Sequence, residues 1–234
     1  MADQTQSKLL HLGCGLCAPK EWVNVDGSTN AWFAQHPVLR KIAGVLRLVP
    51  RRQLDIPWPT NITIANLRKK LPFPDSSFDA VYSSHTVEHL HRNQALALLR
   101  EAFRVLKPGG ICRTLVPDLG ALIKEYRGEG PANGYGPTAE GDPARRLCQK
   151  LLMRHEEQHQ QGLIYSLYTS RTDFHTHKWM YDGASLVKLM TEAGFANVRE
   201  RGYRETEIPQ LDLVESPGRV LDGAGVPVEG IKPN

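Results

Sequence analysis

Cysteine is scarce. Four in 234 residues are too few for a disulfide framework in a chain of this length. No apolar run approaches the ~20 residues that would span a bilayer. The opening MADQTQSKLL lacks the basic end and apolar middle of a secretory signal. There is no internal repeat. There is no strong charge imbalance either: 29 Lys and Arg stand against 25 Asp and Glu, a net charge of +4. That falls short of the dense basic stripe of a dedicated nucleic-acid binder, so nucleic acid is not an expected partner. These absences lead to the expectation of a soluble, reduced, cytoplasmic protein. What is present is ordinary globular composition, 41% apolar and 23% charged. That suffices for a core without staples. The length predicts one domain over 1–234.

Short apolar or β-branched runs bounded by turn residues predict strands at 8–12, 22–26, 62–66, 79–84 and 111–116. Leu96, Leu99, Phe103 and Leu106 recur at steps of three and four and predict an amphipathic helix, stopped by Lys107-Pro108-Gly109-Gly110. A second helix is expected over 183–192 and a strand over 196–203. Residues 226–231 read as an edge strand. The alternation predicts an α/β fold: a Rossmann-like, doubly wound, mostly parallel seven-stranded sheet with helices on both faces. Inserts at about 28–60 and 127–180 interrupt it, the second as a cap.

In such a sheet ligands sit at the carboxyl ends of the strands, near the switch point. Leu10-His11-Leu12-Gly13-Cys14-Gly15 places a glycine turn there, and Asp26 ends the next strand. A carboxylate at that position can accept hydrogen bonds from both ribose hydroxyls of a nucleoside. The segment from Gly13 to Ala18 formally fits the G-x-G-x-x-G/A dinucleotide pattern. That pattern needs a helix after the turn to hold a pyrophosphate and an acid about 20 residues on. Asp26 comes much sooner, with Pro19 in between and Trp22 already in a strand. A nicotinamide-dependent oxidoreductase is therefore disfavoured against a ligand with a ribose but no phosphate. Cys14 and Cys17 form a C-x-x-C, but inside the glycine turn rather than at a helix start, which argues against redox use.

Leu9 to Gly15 resembles the first motif of class I S-adenosylmethionine (SAM)-dependent methyltransferases. Leu71-Pro72-Phe73-Pro74-Asp75-Ser76-Ser77-Phe78-Asp79-Ala80-Val81 is similar to the segment entering their fourth strand. Glu101 to Gly110 resembles the helix and turn before the fifth, and Glu192-Ala193-Gly194-Phe195 the turn before the sixth. The nearest likeness is to the type 11 branch, which methylates quinones and other small molecules. The resemblance implies SAM as cofactor and a small-molecule acceptor. It implies cofactor contacts from His11, Gly13, Cys14, Gly15, Asp26, Gly27, Asn66, Leu67, Ser83 and Ser84. Three positions depart from the family pattern. His11 stands where an acid is usual, the third glycine is replaced near Cys17, and Asn66 replaces an acid beside adenine. They motivate a rival: a non-catalytic SAM-binding partner of the same fold.

Methyl transfer needs donor and acceptor aligned, and a base only where the acceptor must lose a proton. Ser84-His85-Thr86-Val87-Glu88-His89 follows the fourth strand. His85 and Glu88 are the candidate bases, with Glu88 and His89 expected to begin the next helix. His175-Thr176-His177-Lys178-Trp179-Met180-Tyr181 gathers His, Trp and Tyr before a helix. His89, His177 and Tyr181 are the acceptor-side candidates, with an aromatic anchor as the alternative for the last two. His155 and His159 share a helix face at i,i+4 spacing but do not make His-Glu-x-x-His, and no metal is expected. No acid lies between Asp26 and Asp55, whereas Arg40, Lys41, Arg47, Arg51 and Arg52 do. With Val38, Leu39, Ile42, Val45, Leu46 and Val49, residues 38–52 read as a basic amphipathic helix. It would be either a lid packed on the domain or a contact for an anionic membrane or lipid-linked acceptor.

Overall fold

The computed structural model describes residues 7–46, 55–129, 142–151, 176–221 and 224–234. Seven strands form one sheet: β1 (Leu9–Leu12), β2 (Trp22–Asp26), β3 (Ile62–Ile64), β4 (Phe78–Ser84), β5 (Leu106–Pro117), β6 (Ala196–Glu200) and β7 (Gly225–Ile231). Their order is β3-β2-β1-β4-β5-β7-β6. The strands from β3 to β5 run parallel, and β7 is antiparallel to both neighbours. The expected seven-stranded, mostly parallel sheet is what forms. The α-helices among the described residues are α1 (Thr29–Gln35), α2 (Pro37–Val45), α3 (Arg92–Val105), α4 (Leu119–Tyr126), α5 (Pro143–Lys150) and α6 (Gly183–Glu192).

One sheet face carries the main core. Leu10, Leu12, Val25 and Val81 meet Leu96, Leu99 and Ala102 of α3, with Leu186, Leu189 and Met190 of α6. The alternate residues Leu9, Trp22, Ala80 and Tyr82 form a second cluster, closed by Ile208, Leu211 and Val214 from the tail. Strands apolar on both faces are what a buried parallel sheet requires.

Four expectations are corrected. Residues 226–231 are not at an edge: β7 lies between β5 and β6. Pro227 is tolerated there because its carbonyl, and hence the N–H it lacks, faces the β6 side. It accepts from Arg201 N at 2.9 Å, just past the end of β6, so the one bond Pro227 cannot donate falls where that ladder ends. Second, Lys107 to Gly110 stop α3 but do not leave the sheet. Register jumps from Phe78↔Leu106 to Ala80↔Ile111, so they form a bulge. Gly109, at φ +76, donates to Lys232 O. Third, Glu88 and His89 do not open α3. They lie in a separate 3-10 turn, Val87–His89, and Leu90 and His91 are extended before α3 starts at Arg92 under a His91–Gln94 capping box. Fourth, α2 ends at Val45, and Val38, Leu39, Ile42, Val45 and Leu46 are all exposed; the buried residue of α2 is Ala43. The lid packed through its apolar stripe is therefore not formed by the described part. Residues 47–54, which complete the predicted 38–52 helix, and His155, His159 and His175 lie outside the described residues.

Among the described residues no helix is long and apolar enough to cross a membrane.

Candidate active site

Strand order reverses between β1 and β4, and that switch point sets the location of the site. Gly13 and Gly15 leave β1 with φ of +68 and +55, a backbone that glycine adopts without strain. Gly13 N and Cys14 N both donate to Val25 O, tying the turn to β2. A Cβ on Gly13 would stand 2.1 Å from Thr86 Oγ1, so the turn touches the chain leaving β4. There is no helix between β1 and β2, as the short spacing to Asp26 implied.

Asp26 is 8% exposed. Its Oδ2 accepts from Gly15 N at 3.0 Å and its Oδ1 from Ser28 N at 2.7 Å. The carboxylate clamps the turn, and each oxygen keeps a further lone pair. A Cβ on Gly27 would meet Ala65 O at 2.6 Å, so glycine lets β2 close on the end of β3. Just beyond, Asn66 Oδ1 accepts from Arg68 N, and Leu67 is half-buried against the core.

His11 is not beside the open end of the turn. Its ring packs against Trp22 and Tyr82, and burial, with nearby Arg219, pushes its pKa down to about 3. Those are the surroundings of a neutral core histidine. Burial, then the Asp26 charge, pushes the Cys14 thiol up to about 12, and burial raises Cys17 too. Both cysteines are free, and neither is poised for redox exchange.

Ser83 and Ser84 end β4, both buried. Arg219 from the tail reaches Ser84 Oγ at 3.3 Å. After them His85 takes a left-handed backbone, φ +49, held by its N–H donating to Leu115 O. That bend aims the next residues back under the sheet edge, where the His85 side chain is 5% exposed and Glu88 0%. His85 Nδ1 stands 3.2 Å from Glu88 Oε1. Burial pushes the Glu88 carboxyl up, but neighbouring His85 and His89 outweigh it and hold it below the usual range.

The segment before α6 is stitched onto this turn. Lys178 N and Trp179 N both donate to Glu88 O. Tyr181 bridges to Asp118, with Leu119 N donating to Tyr181 O. This sets the His177 ring edge-on to His89, centroids 5.0 Å apart, and His89 Nδ1 lies 3.3 Å from Thr176 O. Burial pushes His177 down to about 4. Tyr181 is 1% exposed inside the main core, its pKa raised by burial to about 12. Its place is that of an aromatic anchor.

So the structure brings Gly13, Gly15, Asp26, Ser84, His85, Glu88, His89 and His177 to one end of the sheet. Thr86 and Arg219 were not found from the sequence. Thr86 sat unremarked inside a segment already singled out. Arg219 lies in a turn-rich tail with no local motif.

Residues 10–114 match the family model described as a methyltransferase domain. A demethylmenaquinone methyltransferase of Corynebacterium efficiens is 44% identical over 62 residues, which cover 24% of this chain and 26% of that protein. The chain thus matches about a quarter of that curated relative's length. Among solved structures, a SAM-dependent methyltransferase from Methanosarcina mazei superposes with a TM-score of 0.50 at 16% identity, covering 99% of this chain and 94% of that one. Another from Thermotoga maritima gives 0.47 at 17% identity, over 97% and 82%. The match runs from β1 into β5 and is to a methyltransferase domain, and the fold as a whole is similar to that of the Methanosarcina mazei SAM-dependent methyltransferase.

Proposed function

We propose that this chain transfers a methyl group from SAM to a small-molecule acceptor by direct in-line displacement. The observation that carries this reading is the Asp26 clamp: a nearly buried carboxylate, holding the glycine turn through Gly15 N and retaining lone pairs for two hydroxyls. SAM bound there would supply a methyl group on a sulfonium, whose leaving group is a neutral thioether. Asp26 would hold the ribose, Gly13 to Gly15 the methionine end, and Asn66 and Leu67 the adenine. Ser83 and Ser84 would border the sulfonium. His85 and Glu88, at the end of β4, are on the acceptor side, with His89 and His177 beside them. His85 is the candidate base for an acceptor that must lose a proton. The likeness to a demethylmenaquinone methyltransferase supports a small-molecule acceptor, and the working place would be the cytoplasm.

Calorimetry tests the reading. Saturable heat with SAM, at one site per chain, is expected; no heat at millimolar SAM with folded protein would overturn it. SAM, and not NAD, should raise the melting temperature.

A peripheral contact with an anionic membrane or lipid-linked acceptor through residues 38–52 is a second element of the proposal. It is supported by the exposed apolar stripe of α2 beside Lys41. Co-sedimentation with anionic vesicles, lost in Val38→Ser/Ile42→Ser, is the expected outcome. Equal recovery with uncharged vesicles would count against it.

A further inference from the structure

Glu88, His89 and His177 each bring one ligand atom within 4.8 Å of the other two. No sequence motif announces this group. Glu88 and His89 are adjacent, His177 is remote, and the two N–H bonds from Lys178 and Trp179 to Glu88 O bring them together. The group is costly as it stands. Both oxygens of the wholly buried Glu88 and both nitrogens of His177 lack a hydrogen-bond partner among the described residues. No Lys or Arg ion pair to Glu88 occurs among them; its close neighbour is the His85 ring. A buried carboxylate grouped with two imidazoles offers the donor set of a cation site.

His89 adds a second sign. A carbonyl oxygen can only accept, so in the 3.3 Å contact with Thr176 O it is His89 Nδ1–H that donates, which orients the ring. Metal-binding histidines are commonly oriented this way, by a carbonyl or carboxylate on the other ring nitrogen. His85 Nδ1 stands 3.2 Å from Glu88 Oε1, a close neighbour of the group but not one of the three ligands.

We propose that Glu88, His89 and His177 bind one divalent transition-metal cation, of the Zn2+, Co2+, Fe2+ or Mn2+ class, on the acceptor side of the sheet edge. Two imidazoles and one carboxylate leave coordination positions open. An oxygen of a hydroxyl-bearing acceptor would fill one, which makes the acceptor an alcohol, enol or phenol. As the S–CH3 bond breaks and its electron pair stays on sulfur, an O–CH3 bond forms and the hydroxyl proton passes to buffer. The acceptor assignment rests on the methyl-transfer reading; metal binding does not.

The test uses the full chain stripped of metal, titrated with Co2+ and read by visible absorption, with Zn2+ as competitor. One equivalent with a ligand-field spectrum is expected, displaced by Zn2+. Affinity should fall at least about tenfold in Glu88→Gln, His89→Ala and His177→Ala. Far-ultraviolet circular dichroism and the urea midpoint serve as the fold control for each variant, and His177→Gln replaces His177→Ala if the latter does not fold. Absence of uptake by the wild-type chain, or uptake unchanged in folded variants, overturns the site. SAM heat without metal uptake sinks this inference alone. Metal uptake without SAM heat sinks methyl transfer and spares the metal site.

Discussion

Asp26 clamps the glycine turn and, in the proposed function, also holds the ribose of SAM; its replacement should separate the two. Asp26→Ala is expected to weaken SAM binding by more than about tenfold, measured by calorimetry, because a charged acceptor is lost from a nearly buried position. It also orphans Gly15 N and Ser28 N, so a lower urea midpoint should accompany it. Gly13→Ala tests the contact between turn and β4. Its Cβ would strike Thr86 Oγ1 at a positive φ, which should cost about 1–3 kcal/mol in urea unfolding. His11 predicts an acid sensitivity. Unfolded, its ring takes a proton below about 6.5; folded, only near 3. As pH falls through that interval the unfolded state binds a proton the native state refuses. Stability therefore drops by about 1 kcal/mol per pH unit, and above that interval the ring contributes nothing. His11→Gln should lack this part of the slope; parallel curves for wild type and variant would contradict it.

At the scale of elements, boundaries follow local chemistry. Asp182 caps α6 in a capping box with Ser185, and Asp182→Ala should cost about 1 kcal/mol in the same assay. The helix was legible at both ends because a cap stands before it and Gly194 after it. The strands of the parallel half were legible because their residues are apolar and bounded by turns. β7 was misplaced for a different reason. Proline in a short run ordinarily marks an edge, and only the place where β6 ends shows that the missing donor falls at the end of the ladder. The 3-10 turn Val87–His89 was hidden for a similar reason. Its backbone is bent at His85, where no glycine marks a positive φ, under the bond to Leu115 O.

At the scale of the whole molecule, one buried cation ties the tail to the sheet. Arg113 of β5 is 0% exposed. It meets Glu215 in a two-bond fork at 2.7 and 2.8 Å, and Glu229 of β7 at 3.0 Å, while Gly202 O accepts a further bond. Glu215→Ala leaves a buried guanidinium short of charge. It should lower unfolding free energy by about 3–5 kcal/mol by urea titration. Because the same tail covers Trp22 and Tyr82 and carries Arg219 to Ser84, the variant should also weaken SAM binding; unaltered stability would refute the clamp. Nothing local in the sequence marks this network, since Arg113 and Glu215 are a hundred residues apart and each alone reads as surface charge.

Periodicity, turn residues and the distance from Gly15 to Asp26 are properties of neighbouring residues. They were enough to establish the class of sheet, the glycine turn, the acid beside it and the lack of room for a pyrophosphate helix. The partners of His177, the neutral burial of His11, the inner place of β7 and the seat of Arg219 depend on which remote segments pack against one another. That choice is made by burial of apolar faces and by pairing of buried charge across the whole chain, and no short window of sequence contains it.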